Sequence, residues 1–156
     1  MEKIDAMDLK ILSELQDDAR KSLREIGEKL GVTEATVHNR INKLRKLGII
    51  EKFIPVINYS RLGYDLTAVI GITAKGGKVI DVEKFLAEMP NVTAVYDVTG
   101  EYDVIAVSKF KDRESLNEFV KEIGKLEFVE KTYTMLVLNV VKESHMIDIL
   151  KVFELD

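Results

Sequence analysis

A chain of 156 residues, 46% hydrophobic and 32% charged, has the balance of a globular protein and length for one medium domain or two small ones. It has no cysteine, so disulfides and thiolate chemistry are excluded; its charged N-terminus and the lack of a membrane-length apolar run imply a cytoplasmic protein without signal peptide or membrane partner. The net charge of −4 argues against indiscriminate nucleic-acid binding, but the first 60 residues carry 11 Lys/Arg against 10 Asp/Glu and the rest 12 against 17.

In chain order, the first half reads as three short helices. Asp5 caps the first, with Asp8 near its positive end, and Met7, Ile11, Leu12 and Leu15 make its apolar face. Ser22 and Glu25 form a capping box ahead of the second, whose stripe is Leu23, Ile26 and Leu30. Gly31 ends that helix, and Thr33 caps the third, in which Val37, Ile41 and Leu44 recur at helical spacing before Gly48 stops it. Residues 49–57 are β-branched and aromatic, interrupted by Pro55, and suit the short strands of a wing.

Residues 23–44 meet the geometry of a helix-turn-helix. Two helices that cross closely need a small residue, which Gly27 supplies, and Gly31 permits the sharp turn while Val32 and Val37 plug the space between. The third helix then presents Glu34, Ala35, Thr36, His38, Asn39, Asn42 and Lys43 outward. Thr, His and Asn can hydrogen-bond base edges, and Lys and Arg can hold phosphates of double-stranded DNA. Arg40, Lys43, Arg45, Lys46 and Lys52 cluster here with only Glu51 opposing them. Arg40 has two readings: a DNA contact, or a brace paired with a carboxylate such as Glu25 or Glu28.

The second half changes rhythm. Residues 66–74 read as a strand. Val82, Phe85, Leu86 and Met89 form a helix face, 92–99 and 102–109 two strands, Leu116, Phe119, Val120 and Ile123 a second helix, and 129–142 a long final strand. The order β-α-β-β-α-β is ferredoxin-like, so the fold class is α+β: a winged helix-turn-helix over 1–60, a linker at 61–65, a ferredoxin-like domain over 66–142 and a tail over 143–156. In the last strand Leu136, Leu138 and Val140 alternate with Met135, Val137 and Val141. Both faces are apolar, and since two helices cover only one face of a four-stranded sheet, the other calls for sheet-on-sheet dimerisation. The tail places Met146, Ile149, Leu150 and Phe153 at helical spacing; it either packs on something, such as another protomer, or frays.

Taken together, Ile4-Asp-Ala-Met-Asp8, Leu15-Gln-Asp-Asp-Ala-Arg20, Ile26-Gly-Glu-Lys-Leu-Gly31, Val37-His-Asn-Arg-Ile-Asn-Lys-Leu44, Gly48-Ile-Ile50, Leu62-Gly-Tyr64 and Thr99-Gly-Glu-Tyr-Asp103 resemble the Lrp/AsnC, or feast/famine, transcription regulators over residues 4–143. Gln16 as the only glutamine, among abundant Glu and Lys, points to a thermophilic prokaryote. The resemblance implies sheet-mediated homodimers assembling further, often to octamers, and an amino acid that binds near protomer interfaces and alters assembly or DNA affinity. It also implies that the loop at 99–103 lines the effector site: Gly100 admits a ligand carboxylate to backbone N–H groups, Asp103 accepts from its ammonium, and Tyr102 shields its aliphatic part, with Glu101 in the same turn. From the residues alone, Gly100-Glu101 is a two-residue hairpin turn. Thr132 and Thr134 share a face of the last strand and either add hydroxyl contacts or reflect ordinary strand propensity.

Other function classes are less well served. His38 and His145 stand apart with no ligand-spaced companions, no catalytic serine elbow or phosphate-loop lysine motif occurs, and Lys75-Gly-Gly-Lys78 suits a turn better than a phosphate cradle. An enzyme, a metal site and a resident cofactor are therefore not expected. An RNA-binding or other interaction module shares the βαββαβ order, but residues 102–108 lack the aromatic, glycine-rich signature of RNA-recognition strands.

Overall fold

The computed structural model of the protein describes residues 3–155. The chain forms two compact units: residues up to Val56 together with those from Lys142 onward, and Ile57–Val141.

The first unit contains α1 (Ala6–Asp17), α2 (Leu23–Leu30) and α3 (Glu34–Lys46). Each begins where its sequence places a cap. The Asp5 carboxylate accepts from the Asp8 N–H, Ser22 and Glu25 close a reciprocal box, and the Thr33 hydroxyl accepts from the Thr36 N–H. Ile11, Ile26, Val37 and Ile41 form the core, with Met7, Leu15, Leu23, Leu30, Val32 and Ile50 packed around it. Gly31 ends α2 in the left-handed region at φ 69°. Gly27 is required by contact: a Cβ there would lie 2.7 Å from the Val32 carbonyl oxygen. The chain folds back so tightly after α2 that only hydrogen fits.

The wing strands do not form. Ile49 and Ile50 donate back to the Leu44 carbonyl, which closes the helix end, and residues 51–58 run on without a strand. Val56 is 91% exposed. A strand needs a ladder partner, Pro55 has no N–H to give one, and the described part of this unit contains no strand at all. The C-terminal tail packs rather than frays. It forms a short helix, α6 (Ile149–Val152), that packs against α1 of its own chain. Ile149, Leu150 and Leu155 are partly buried there, while Met146 and Phe153 stay exposed.

The second unit is the α+β half: β1 (Leu66–Ala74), α4 (Val79–Glu88), β2 (Val92–Asp97), β3 (Val104–Phe110), α5 (Arg113–Gly124) and β4 (Val129–Leu136). The strands form one antiparallel sheet in the order β2-β3-β1-β4, the ferredoxin-like arrangement. Ala68, Ile70, Ile72, Val104, Ala106 and Phe110 point to one side and bury against Val82, Leu86, Phe119 and Ile123 of the two helices. By alternation the other side carries Val69, Ala94, Tyr96, Ile105, Val107, Tyr133 and Met135. Strand β4 stops at Leu136, short of the expected 142. Its only neighbour is β1, which begins at Leu66, opposite where residue 138 would pair. Beyond one last bond from the Val137 N–H to the Thr67 carbonyl, no ladder remains.

Candidate nucleic-acid interface and effector loop

Thr33 starts α3, and the burial of Val37, Ile41 and Leu44 turns the opposite side of the helix outward. Glu34, Ala35, His38 and Asn39 are exposed on it. Thr36 is half-buried, its hydroxyl 2.8 Å from that of Thr33, and the Asn42 amide nitrogen lies 3.2 Å from His38 Nε2. These are polar groups held one turn apart on a rigid element, free to exchange hydrogen bonds with a duplex groove.

Of the four cations of this helix, Arg40 and Lys43 are half-buried and engaged. Arg40 Nη1 donates to both Asp5 oxygens at 2.8 Å and to Asp8 Oδ1 at 2.9 Å, and Lys43 Nζ donates to Asp8 Oδ2. Asp8 is fully buried. The brace expected for Arg40 therefore exists, with different partners. Glu25 is occupied by Ser22 and Glu28 by Arg24, each within α2. Burial alone would raise the Asp8 carboxyl, but hydrogen bonds from Lys43, the Asp5 N–H and Arg40 outweigh it and hold it below its ordinary 3.8. Asp5 is held low chiefly by Arg40. The pairing was hidden in the sequence, although its signal was present: Asp5/Asp8 and Arg40/Lys43 are each spaced i, i+3, so each pair shares one helix face. Arg45 and Lys46 lie exposed on the last turn of α3 without an ion-pair partner among the described residues. Asp5, Thr36, Asn39, Arg40 and Lys43 together line a shallow depression on the outer side of α3.

In the second unit the loop between β2 and β3 differs from the expected two-residue turn. The ladder closes with the Val98 N–H on the Asp103 carbonyl, leaving residues 99–102 as a four-residue loop. Gly100 sits at φ 126° with open space where a Cβ would be, so its role is conformational. Asp103 anchors the loop: its N–H donates to the Ile72 carbonyl and its Oδ2 accepts from the Ala74 N–H at 2.8 Å. Tyr102 folds over Gly71, where a Cβ would lie 2.7 Å from its ring, and stacks on Tyr133 with centroids 5.9 Å apart. Burial pushes the Tyr102 phenol up, helped by Glu101 and Tyr133. Thr132 and Thr134 are not gathered with this loop. They pair with Ile72 and Ile70 and share their helix-side face, whereas Tyr133, between them, faces the Tyr102 side. A period of two decides this: neighbours on a strand point to opposite faces. Tyr133 is thus the residue the sequence reading passed over; its odd position relative to Thr132 was the available signal.

Comparison with known proteins agrees with this division. The model of the AsnC-type helix-turn-helix domain matches residues 4–45, and that of the Lrp/AsnC ligand binding domain matches residues 67–147. An uncharacterised HTH-type transcriptional regulator of Pyrococcus furiosus is 50% identical over 141 residues, covering 90% of this chain and 95% of the relative. Among solved structures, AsnC of E. coli superposes with a TM-score of 0.87 at 27% identity, covering 93% of this chain and 99% of that one. A transcriptional regulator of Neisseria meningitidis, solved as a complex with L-Met, superposes with a TM-score of 0.88 at 21% identity over 96% and 99% of the two chains, which shows a shared fold. The two matching family models and the Pyrococcus relative make this chain a member of the Lrp/AsnC family, DNA-binding transcriptional regulators rather than enzymes.

Proposed function

We propose that α3 reads a specific DNA site, and that assembly or DNA affinity responds to an amino acid bound at the loop of residues 99–103. The observation that carries the first part is the exposed row Glu34, Ala35, His38 and Asn39, polar but for the small Ala35, beside Thr36, Arg40 and Lys43. Its N-terminal residues suit base edges, and its basic residues suit phosphates. The second part rests on Gly100, Glu101, Tyr102 and Asp103 gathered next to Tyr133, on the sheet face that the helices leave uncovered. The Neisseria regulator of the same fold was solved with L-Met, which supports an amino acid as ligand. The apolar residues of that face support a homodimer formed sheet to sheet, with further assembly of dimers towards an octamer.

Two experiments test these parts separately. Footprinting on the DNA upstream of the gene is expected to show a protected site that His38→Ala/Asn39→Ala loses, while salt-dependent background binding persists. Unchanged protection would remove the recognition role from α3. Calorimetry with each of the common amino acids is expected to find a ligand that Gly100→Asp abolishes. Gly100→Ala carries the same backbone penalty without the charge and serves as the control for strain. Binding that survives Gly100→Asp would exclude the loop.

A further inference from the structure

The ion-pair cluster of Asp5, Asp8, Arg40 and Lys43 does more than brace the fold. Arg40 Nη1 meets both Asp5 and Asp8, so each of its two hydrogens has a carboxylate acceptor. Nε and Nη2 have no partner among the described residues, although the side chain is 27% exposed and lines the depression beside Asn39 and Thr36. The guanidinium is therefore fixed by one nitrogen and open along its other edge. The two carboxylates also cancel the charge of Arg40 and Lys43 at the surface where phosphates would approach. Asp8 is fully buried and belongs to the fold, whereas the Asp5 side chain is 53% exposed on the rim of the same depression. An exposed carboxylate on a guanidinium competes directly with a phosphate oxygen for it.

We infer that Asp5 is a specificity-determining residue for DNA: its carboxylate occupies Arg40 against indiscriminate phosphate binding and aims the free edge of the guanidinium outward. A cation already neutralised releases no DNA counterion, so Asp5 lowers sequence-independent affinity and leaves discrimination to the base-facing groups. The inference rests on the reading that α3 meets DNA, and the footprinting of His38→Ala/Asn39→Ala tests that reading independently.

The test separates charge from folding because asparagine is as good an N-cap as aspartate. In Asp5→Asn the side-chain oxygen still accepts from the Asp8 N–H, while one of the two carboxylate charges on Arg40 is removed and that of Asp8 remains. The full chain is titrated by fluorescence anisotropy on a mixed-sequence duplex over a range of salt. Asp5→Asn is expected to bind more tightly at low salt and to steepen the log-affinity against log-salt slope by about one per engaged helix, roughly a threefold larger loss for a fourfold rise in salt. Asp5→Ser, another charge-free cap, should behave alike and serves if the first variant folds poorly. Asp18→Asn removes one charge from the exposed far end of α1 and is expected to leave the slope unchanged. In Asp5→Asn/Arg40→Gln the gain should vanish. An unchanged slope in folded Asp5→Asn would overturn the inference, as would an equal gain in Asp18→Asn or a gain that persists without Arg40. An unchanged slope alongside a lost footprint in His38→Ala/Asn39→Ala would sink Asp5 alone and leave the role of α3 standing.

Discussion

Two side chains show how a single position is constrained. Alanine is the better helix former, so on propensity alone Gly27→Ala would add about 1 kcal/mol to α2. The Val32 carbonyl 2.7 Å from the would-be Cβ reverses that sign, because backbone oxygen cannot step aside cheaply. We expect a net loss of about 1–3 kcal/mol in urea denaturation, and a stabilised variant would refute the close crossing. Asp5, Asp8 and Glu14 contribute to the acid response. All three carboxyls lie below their ordinary values of 3.8 and 4.5 in the folded state; for Glu14 the cause is first the Lys29 hydrogen bond, which outweighs burial, and then that of Lys21. A depressed folded value means that the unfolded chain binds protons more readily. The stabilisation is then fully present above about pH 4.5 and drains away as pH falls through 3.8 and below. Melting temperature should fall over that window in the wild type, and Asp8→Asn should flatten part of the decline.

At the scale of elements, local chemistry was largely legible. Asp5, Ser22 and Thr33 each cap the helix that follows them, because capping depends only on residues three positions apart. Thr33→Ala should accordingly cost about 1 kcal/mol of stability by thermal denaturation, with α3 fraying at its reading end. The wing at 49–57 and the end of β4 were misread for the opposite reason: strand propensity is local, but a ladder partner is not. The tail posed the same question. Its apolar spacing announced a helix that packs on something, and α1 of its own unit is where it lands. Deleting residues 143–156 is expected to lower the melting temperature of the helix-turn-helix unit by about 5 °C, measured by calorimetry. No shift would mean that the tail adds nothing to that unit.

For the whole molecule, the uncovered side of the sheet sets the main expectation. Val69, Ile105, Val107, Tyr133 and Met135 on one face resemble half of a sheet-on-sheet core. Val107→Glu places a charge in the middle of that face without touching the helix-side core, where Ala106 and Ser108 point. Sedimentation equilibrium should then report a monomer, against a dimer or larger expected for the wild type, with the circular dichroism spectrum retained. An unchanged mass would exclude this face as the interface.

Periodicity, caps and glycines were sufficient to place the helices, the βαββαβ order and the helix-turn-helix, because each depends on neighbours within a few residues along the chain. The outward row of α3 followed from its buried stripe by subtraction. Partner choice across the chain was decided only in three dimensions. Nothing local says that Arg40 and Lys43 meet Asp5 and Asp8, with Glu25 and Glu28 already engaged. Nor does it say that Tyr102 seeks Gly71 and Tyr133 across the sheet, or that Thr132 and Thr134 turn away from it. Short-range spacing fixes which face a residue occupies, and only the packed fold decides what that face meets.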